Sequence, residues 1–357
     1  MRFVIPIILF ILFGGCGTGS DPGSAKISLE GSFVQAGLPG LEVNTLTRFE
    51  GNLYAGTDSG LYRGPEASEN LLWTSLGLQR QDVLKVVFLQ GGKLLAAIRI
   101  SDFSGSIPSM FLSADDGQSW QVWVNNYGGE TGEYTWVESL AATLAPSDTL
   151  FARVSGTTVA RSINGGQEWH IVNGDWNLWG GAAVLVYSDP HQQGRIFAGG
   201  VNAFSSPYLL RSADYGENWT TLSVLENIEA VCYDVLTHPA KSTHILAGLG
   251  GAFDQALLIR KSTNGGTDWN TVHQGIITLT LTSSERNPAV VYASGINREG
   301  SLFFLASGDF GDTWQTVEYP ESPADIQVND MVSVTEDGRE VLYLGTNKGI
   351  YSYRFEE

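Results

Sequence analysis

One short motif, Ser-x-Asp/Asn-x-Gly-x-x-Trp, occurs five times in the chain. The copies run Ser113–Trp120, Ser162–Trp169, Ser212–Trp219, Ser262–Trp269 and Ser307–Trp314, with Asp115, Asn164, Asp214, Asn264 and Asp309 in third place. Their serines stand 49, 50, 50 and 45 residues apart. Self-similarity at a fixed period of some tens of residues marks a repeat architecture, in which each unit buries its core against the next.

Each copy reads as a β-hairpin turn. An Asp or Asn side chain accepts hydrogen bonds from turn N–H groups, Gly supplies positive φ, and Trp buries a large face between strands. This chemistry accounts for every fixed position, so the acidic residue is read as structural, not as catalytic or metal-binding. A second signature precedes each turn: a short apolar strand with a small residue in its middle. It starts at Leu53, Leu94, Leu150, Ile196, Ile245, Val291 and Leu342, two more copies than the intact motif, with the extra two at the ends. Aligned on the motif's serine, the seven units fall at 64, 113, 162, 212, 262, 307 and 353.

Each unit reads as four strands, at 183–187, 195–199, 208–211 and 219–222 in the fourth. Four-stranded units at this period predict propeller blades. The seventh unit stops at Arg354–Glu357 before a fourth strand, while a spare strand, Lys26–Leu38, stands at the other end. The end of that strand resembles the outer strand of the first unit, Trp73–Leu78. The N-terminal strand is therefore expected to complete the last blade, which removes a sheet edge and closes the ring. The expected fold is all-β: a seven-bladed β-propeller of four-stranded antiparallel blades, one domain over residues 26–357. The 43 glycines and the low charged fraction of 16 % agree with a turn-rich β protein.

The motif resembles the Asp-box (BNR) repeat of sialidases, sortilin-type receptors and related propellers, and the resemblance covers most of the chain. Sialidase activity would require three arginines around a substrate carboxylate, a Tyr–Glu nucleophile pair and a Phe/Tyr-Arg-Ile-Pro signature. Here Ser106-Ile-Pro108 lacks the arginine, and Arg63, Arg161, Arg211 and Arg260 belong to strands leading into the turns. Only Arg99, Arg153 and Arg298 fall near the ligand face. Xyloglucanases of this repeat class form their cleft between two propellers, whereas this chain holds one. Photosystem-II assembly factors, exported non-enzymatic propellers of seven blades, are the nearer architectural analogue, although their arginine-rich patch has no evident counterpart here.

Residues 1–15 read as a signal peptide: Met1-Arg2, an apolar run from Phe3 to Phe13, then Gly14-Gly15 before Cys16. The run is too short to span a bilayer. Small residues before a cysteine resemble the bacterial lipoprotein box. That resemblance makes Cys16 the lipidated first residue, 16–25 a flexible tether, and the location a cell envelope, at an outer membrane or facing the periplasm. The other cysteine, Cys232, lies in an apolar strand and is read as core. A net charge of −18 disfavours nucleic acid as a partner, and the membrane is expected to be met through the lipid alone.

No catalytic set stands out. The five histidines lack metal-ligand spacing, so no metal or cofactor is expected. Propeller ligands sit on the axial face opposite the Asp-box turns, which by strand direction carries the loops between blades and between second and third strands. Of ten tryptophans, five close motifs, Trp73 takes the equivalent place in the first unit and Trp123 falls on an outer strand. Trp136, Trp176 and Trp179 remain, in or beside two neighbouring loops of that face. Exposed aromatics flanked by carboxylates suit sugar rings or a protein hot spot. The expected ligand-binding residues are Arg99, Asp102, Tyr134, Trp136, Trp176, Trp179 and Asp254. The leading expectation is a non-catalytic binding or assembly module for a protein or glycan. The alternative is a glycoside hydrolase or lyase, for which Glu130, Glu133 and Asp175 are the candidate carboxylates.

Overall fold

The computed structural model describes residues 31–66, 72–100, 108–123, 127, 136–144, 147–155, 158–173, 182–201, 206–226, 228–251, 257–297, 302–317 and 325–355. Their regular structure is entirely β, in seven four-stranded sheets. Strand β1 (Gly31–Gly37) stands apart from its own sheet in sequence. Blade 1 is β2 (Val43–Phe49), β3 (Asn52–Thr57), β4 (Gly60–Pro65) and β5 (Thr74–Ser75); blade 2 is β6 (Asp82–Phe88), β7 (Leu94–Arg99), β8 (Met110–Ser113) and β9 (Gln121–Val122). Blade 3 is β10 (Val137–Ala142), β11 (Leu150–Val154), β12 (Thr158–Ser162) and β13 (His170–Asn173); blade 4 is β14 (Ala182–Ser188), β15 (Ile196–Val201), β16 (Pro207–Ser212) and β17 (Thr220–Leu222). Blade 5 is β18 (Val231–Thr237), β19 (Ile245–Gly250), β20 (Leu258–Ser262) and β21 (Asn270–Gln274); blade 6 is β22 (Ile276–Ser283), β23 (Val291–Asn297), β24 (Leu302–Ser307) and β25 (Gln315–Thr316). Blade 7 is β26 (Val328–Glu336), β27 (Arg339–Thr346) and β28 (Gly349–Phe355), completed by β1.

The register agrees with the seven-unit alignment. Leu53 pairs with Gly64, Leu94 with Ser113, Leu150 with Ser162 and Ile196 with Ser212. Ile245 pairs with Ser262, Val291 with Ser307 and Leu342 with Tyr353. The second strands sit deepest because both their faces are covered by neighbouring blades. Their apolar run is then continuous rather than alternating. The core lies between blades: Leu185 and Phe197 of blade 4 pack with Val235 and Ala247 of blade 5.

The ring closes as expected. β1 pairs with β28 from Gly31↔Phe355 to Gly37↔Ile350, and Phe33 stacks on Tyr351 at 4.8 Å between ring centroids. The end of β1 reproduces the end of blade 1's outer strand in detail. Leu38 and Leu78 both take positive φ, 49° and 54°. Trp73 Nε1 donates to Ala36 O at 3.2 Å, as Trp120 Nε1 does to Leu76 O at 2.6 Å. The outer strand therefore occupies one structural site whichever end of the sequence supplies it.

Every innermost strand carries a β-bulge at the same place. The extra residue lies within the shifts Val43/Thr45, Val83/Lys85, Val137/Ser139 and Ala183/Leu185. The same shift recurs at Cys232/Asp234, Thr278/Thr280 and Val328/Asp330. A bulge re-aims side chains and frees backbone groups, and here neighbouring blades take those groups up. Asn44 Nδ2 donates to Val83 O at 3.1 Å and Asn329 Nδ2 to Val43 O at 3.0 Å. In the next position, Asp234 accepts from Leu281 N at 2.7 Å and Asp330 from Leu46 N at 3.0 Å.

Candidate functional site

The repeat turns are rich in acidic and amide side chains, and the third-position one is used within its own turn. In each turn the serine Oγ accepts the glycine N–H, at 2.7–2.9 Å. The third-position side chain accepts from the backbone N–H of the seventh residue, at 2.8–3.0 Å. Its outer atom decides what the seventh residue is. Asp115, Asp214 and Asp309 accept from Ser119 Oγ, Asn218 Nδ2 and Thr313 Oγ1 at 2.5, 2.8 and 2.6 Å. Asn164 and Asn264 instead donate Nδ2 to Glu168 and Asp268, at 3.1 and 2.7 Å. The partner's side-chain and backbone hydrogen bonds hold the Asp115 and Asp214 carboxyls below the usual carboxylate range.

The same turns are clipped by the preceding blade. Arg161 Nη1 donates to Tyr215 O at 2.7 Å, Arg211 Nη1 to Gly265 O at 2.6 Å, and Arg63 pairs with Asp116. Blade 2 has Leu112 where those blades have arginine. There Trp123, just past β9, donates its indole N–H to Gly165 O at 2.8 Å. These arginines are inter-blade fasteners, in keeping with their assignment to strands leading into the turns.

The axial face on the other side is built differently. The innermost strands start there, and a cavity of about 410 Å³ opens between them, lined by Glu42, Asn44, Lys85, Arg99, Glu138, Ser139, Gln327 and Asn329 among others. A channel of about 480 Å³ shares Lys85, Ser139 and Asn329 with it and reaches down to Arg48, Phe88 and Ser188. Beside the mouth, between blades 2 and 3, lies a pocket of about 220 Å³ lined by Leu84, Arg99, Ile100, Trp136, Val137, Glu138 and Arg153.

Charges at this face are paired but unequally exposed. Arg99 meets Asp82 at 3.1 Å with its side chain 55 % exposed. Arg153 is largely enclosed and meets Glu138 at 3.2 Å; burial draws its pKa below the ordinary arginine value. Lys85 Nζ reaches Asp330 Oδ2 at 3.2 Å inside the channel. Asp234 borders the lumen yet is surrounded by protein, and burial pushes its carboxyl up to about 7 against the backbone donors of Leu281 and Val235. Among the described residues no group of three or more His, Cys, Asp or Glu side chains is placed to hold a metal ion.

The structure brings Arg99 and Trp136 together in one pocket and adds Arg153 to them. Asp102, Tyr134, Trp176, Trp179 and Asp254 lie outside the described residues, as do Glu130, Glu133, Asp175, Arg298 and Cys16. Sequence reading missed Lys85, Glu138, Asp234 and Asp330. Their signal was a polar residue at or just after the bulge, visible once the seven first strands are aligned.

No protein-family model matches the chain, and no curated protein matches it. Solved structures do. YCF48 bound to D1 peptide superposes with a TM-score of 0.64 at 15 % identity, over 94 % of this chain and 99 % of that one. The likeness is one of fold. YCF48 from Cyanidioschyzon merolae gives 0.63 at 13 % identity, over 91 % and 98 % of the two chains. A chain of the mitotic checkpoint complex gives 0.60 at 12 %, over 100 % and 99 %.

Proposed function

We propose that this propeller is a non-catalytic binding and assembly module that holds a protein partner on its loop face. The carrying observation is the difference between its faces: the repeat turns are closed by their own hydrogen bonds and by ion pairs from the preceding blade, while the opposite face opens into a polar mouth flanked by the Arg99–Trp136 pocket. Enriched aromatics and arginines in a concave site are the anchors that carry protein interfaces. Two propellers of like fold are known in complexes with protein chains or peptides. We place the repeat in the Asp-box class and the mature chain in a cell envelope, held there by lipid on Cys16. The N-terminal apolar run and Gly14-Gly15-Cys16 support that part of the reading.

Cross-linking from Arg99→Cys or Ser139→Cys, with the ring otherwise intact, tests the partner. A discrete protein adduct from these positions, absent from Gln118→Cys on the turn face, is expected. Equal adducts from both faces would overturn the assignment. Trp136 beside Glu138 also favours a glycan as the ligand. Saturable binding of a defined oligosaccharide, lost in Trp136→Ala, would select that reading over the protein one.

A further inference from the structure

Two of the three Asn–Gly pairs in the sequence occupy the same place in two repeat turns: Asn164–Gly165 and Asn264–Gly265. We propose that they are latent deamidation sites, held unreactive by the closed ring and released when the clip from the preceding blade is lost. Asn–Gly is the dipeptide most open to this reaction because glycine carries no Cβ to obstruct attack. The glycine nitrogen gives up its proton and bonds to the asparagine Cγ, and the side-chain nitrogen leaves as ammonia. Water then opens the cyclic imide to aspartate or isoaspartate. Water is the only co-reactant.

In the folded turn every group that must move is engaged. The nucleophilic nitrogen of Gly165 donates to Asp148 O at 2.9 Å, and that of Gly265 to Thr243 O at 2.8 Å. The Asn164 Oδ1 accepts from Ser162 Oγ and Glu168 N, both at 3.0 Å. Asn264 repeats this with Ser262 Oγ at 3.0 Å and Asp268 N at 2.9 Å. The glycine carbonyls are held from outside the turn, by Trp123 on Gly165 and by Arg211 on Gly265. The product would not fit back. An aspartate at 264 turns a donor toward Asp268 into a second carboxylate where the donor stood 2.7 Å away. The aspartate copies of the turn avoid this conflict with Ser119, Asn218 and Thr313. Conversion therefore makes a local opening irreversible.

The test follows peptide mass gain in the purified full-length chain at mildly alkaline pH. Asn164 and Asn264 should convert at least about tenfold more slowly in the folded protein than in urea, because reaction must wait for opening. Arg211→Ala should speed Asn264 by at least about threefold and leave Asn164 unchanged, as a local opening requires. Equal rates in folded and unfolded chains would overturn the proposal, and so would acceleration of both sites together by Arg211→Ala. Separately, Asn264→Asp should lower the melting temperature, and adding Asp268→Thr should restore it. A neutral Asn264→Asp would remove the argument for irreversibility.

Discussion

His238 shows how one side chain can serve as a turn acceptor and a pH sensor together. Its Nδ1 accepts from the backbone N–H of Ala240 and Lys241 at 3.0 and 3.2 Å, which requires an unprotonated nitrogen. Burial, followed by the neighbouring His244 and Lys241, holds its pKa down to about 4 against an ordinary 6.5. The folded state thus binds fewer protons than the unfolded one between these values. Its stabilising contribution is complete above 6.5 and is lost as the pH falls toward 4. Melting temperature is expected to drop on going from neutral pH to about pH 5, and His238→Asn, which keeps an acceptor without a titrating ring, should flatten that drop. Asp330 supplies a second residue-scale prediction. It accepts from Met331 N, Leu46 N and Thr45 Oγ1 and faces Lys85, so it joins the last blade to the first. Asp330→Ala should cost about 3 kcal/mol in chemical denaturation because it orphans several donors at once. Lys85→Ala should cost less, about 1 kcal/mol, since the ammonium is partly open to the channel.

At the scale of elements, the outer strand is the variable part of each blade and the second strand the constant one. Strands β5, β9 and β25 have only two residues each, whereas β1 has seven. Phe33→Ala removes the ring stacked on Tyr351 and should cost about 2 kcal/mol, less than for a fully buried aromatic. Deleting residues 31–37 should expose the edge of β28 and produce concentration-dependent association in size-exclusion chromatography. The tight hairpins of blades 1 and 7 supply a sharper test. Gly349 sits at φ 110°, and a Cβ there would approach Leu38 O to 2.7 Å. Gly349→Ala should therefore destabilise by more than about 1 kcal/mol. The strands and closure were legible in the sequence because the repeat fixed phase and the small mid-strand residues marked the second strands. The bulges were not, because a single strand carries no record of its register against its partner, and the recurring polar residue shows only when the seven first strands are aligned. Asp234 and Asp330 therefore did not stand out from the sequence. The arginines before the turns were placed correctly on strands, but the contact of Arg63, Arg161 and Arg211 with the next blade depends on the ring and has no local signature, and Arg260 instead bonds Trp269 O and Thr271 of its own blade. Trp136 was found by subtracting tryptophans that the turns explain; Arg153 joins it through the β10–β11 pairing within blade 3, and Arg99 because blade 2 lies alongside.

For the whole molecule, the two axial faces differ in shape, one carrying the closed repeat turns and the other opening into cavities, and that difference favours binding at the open one. Because Arg99 is exposed and its pairing with Asp82 is of the weak surface kind, Arg99→Ala should leave stability within about 0.5 kcal/mol of the parent. The same change should weaken partner capture by roughly tenfold or more if that arginine is an anchor. Fluorescence denaturation alongside binding separates the two effects. The seam between blades 7 and 1 has a further consequence in time. Asp330 grips Leu46 across 284 positions of sequence, and β1 pairs with a strand that ends at Phe355. Such distant pairing is slow to form. During synthesis β1, the earliest of the described strands, waits for its partner β28, the latest of them, so the strand made early is among the last to be used.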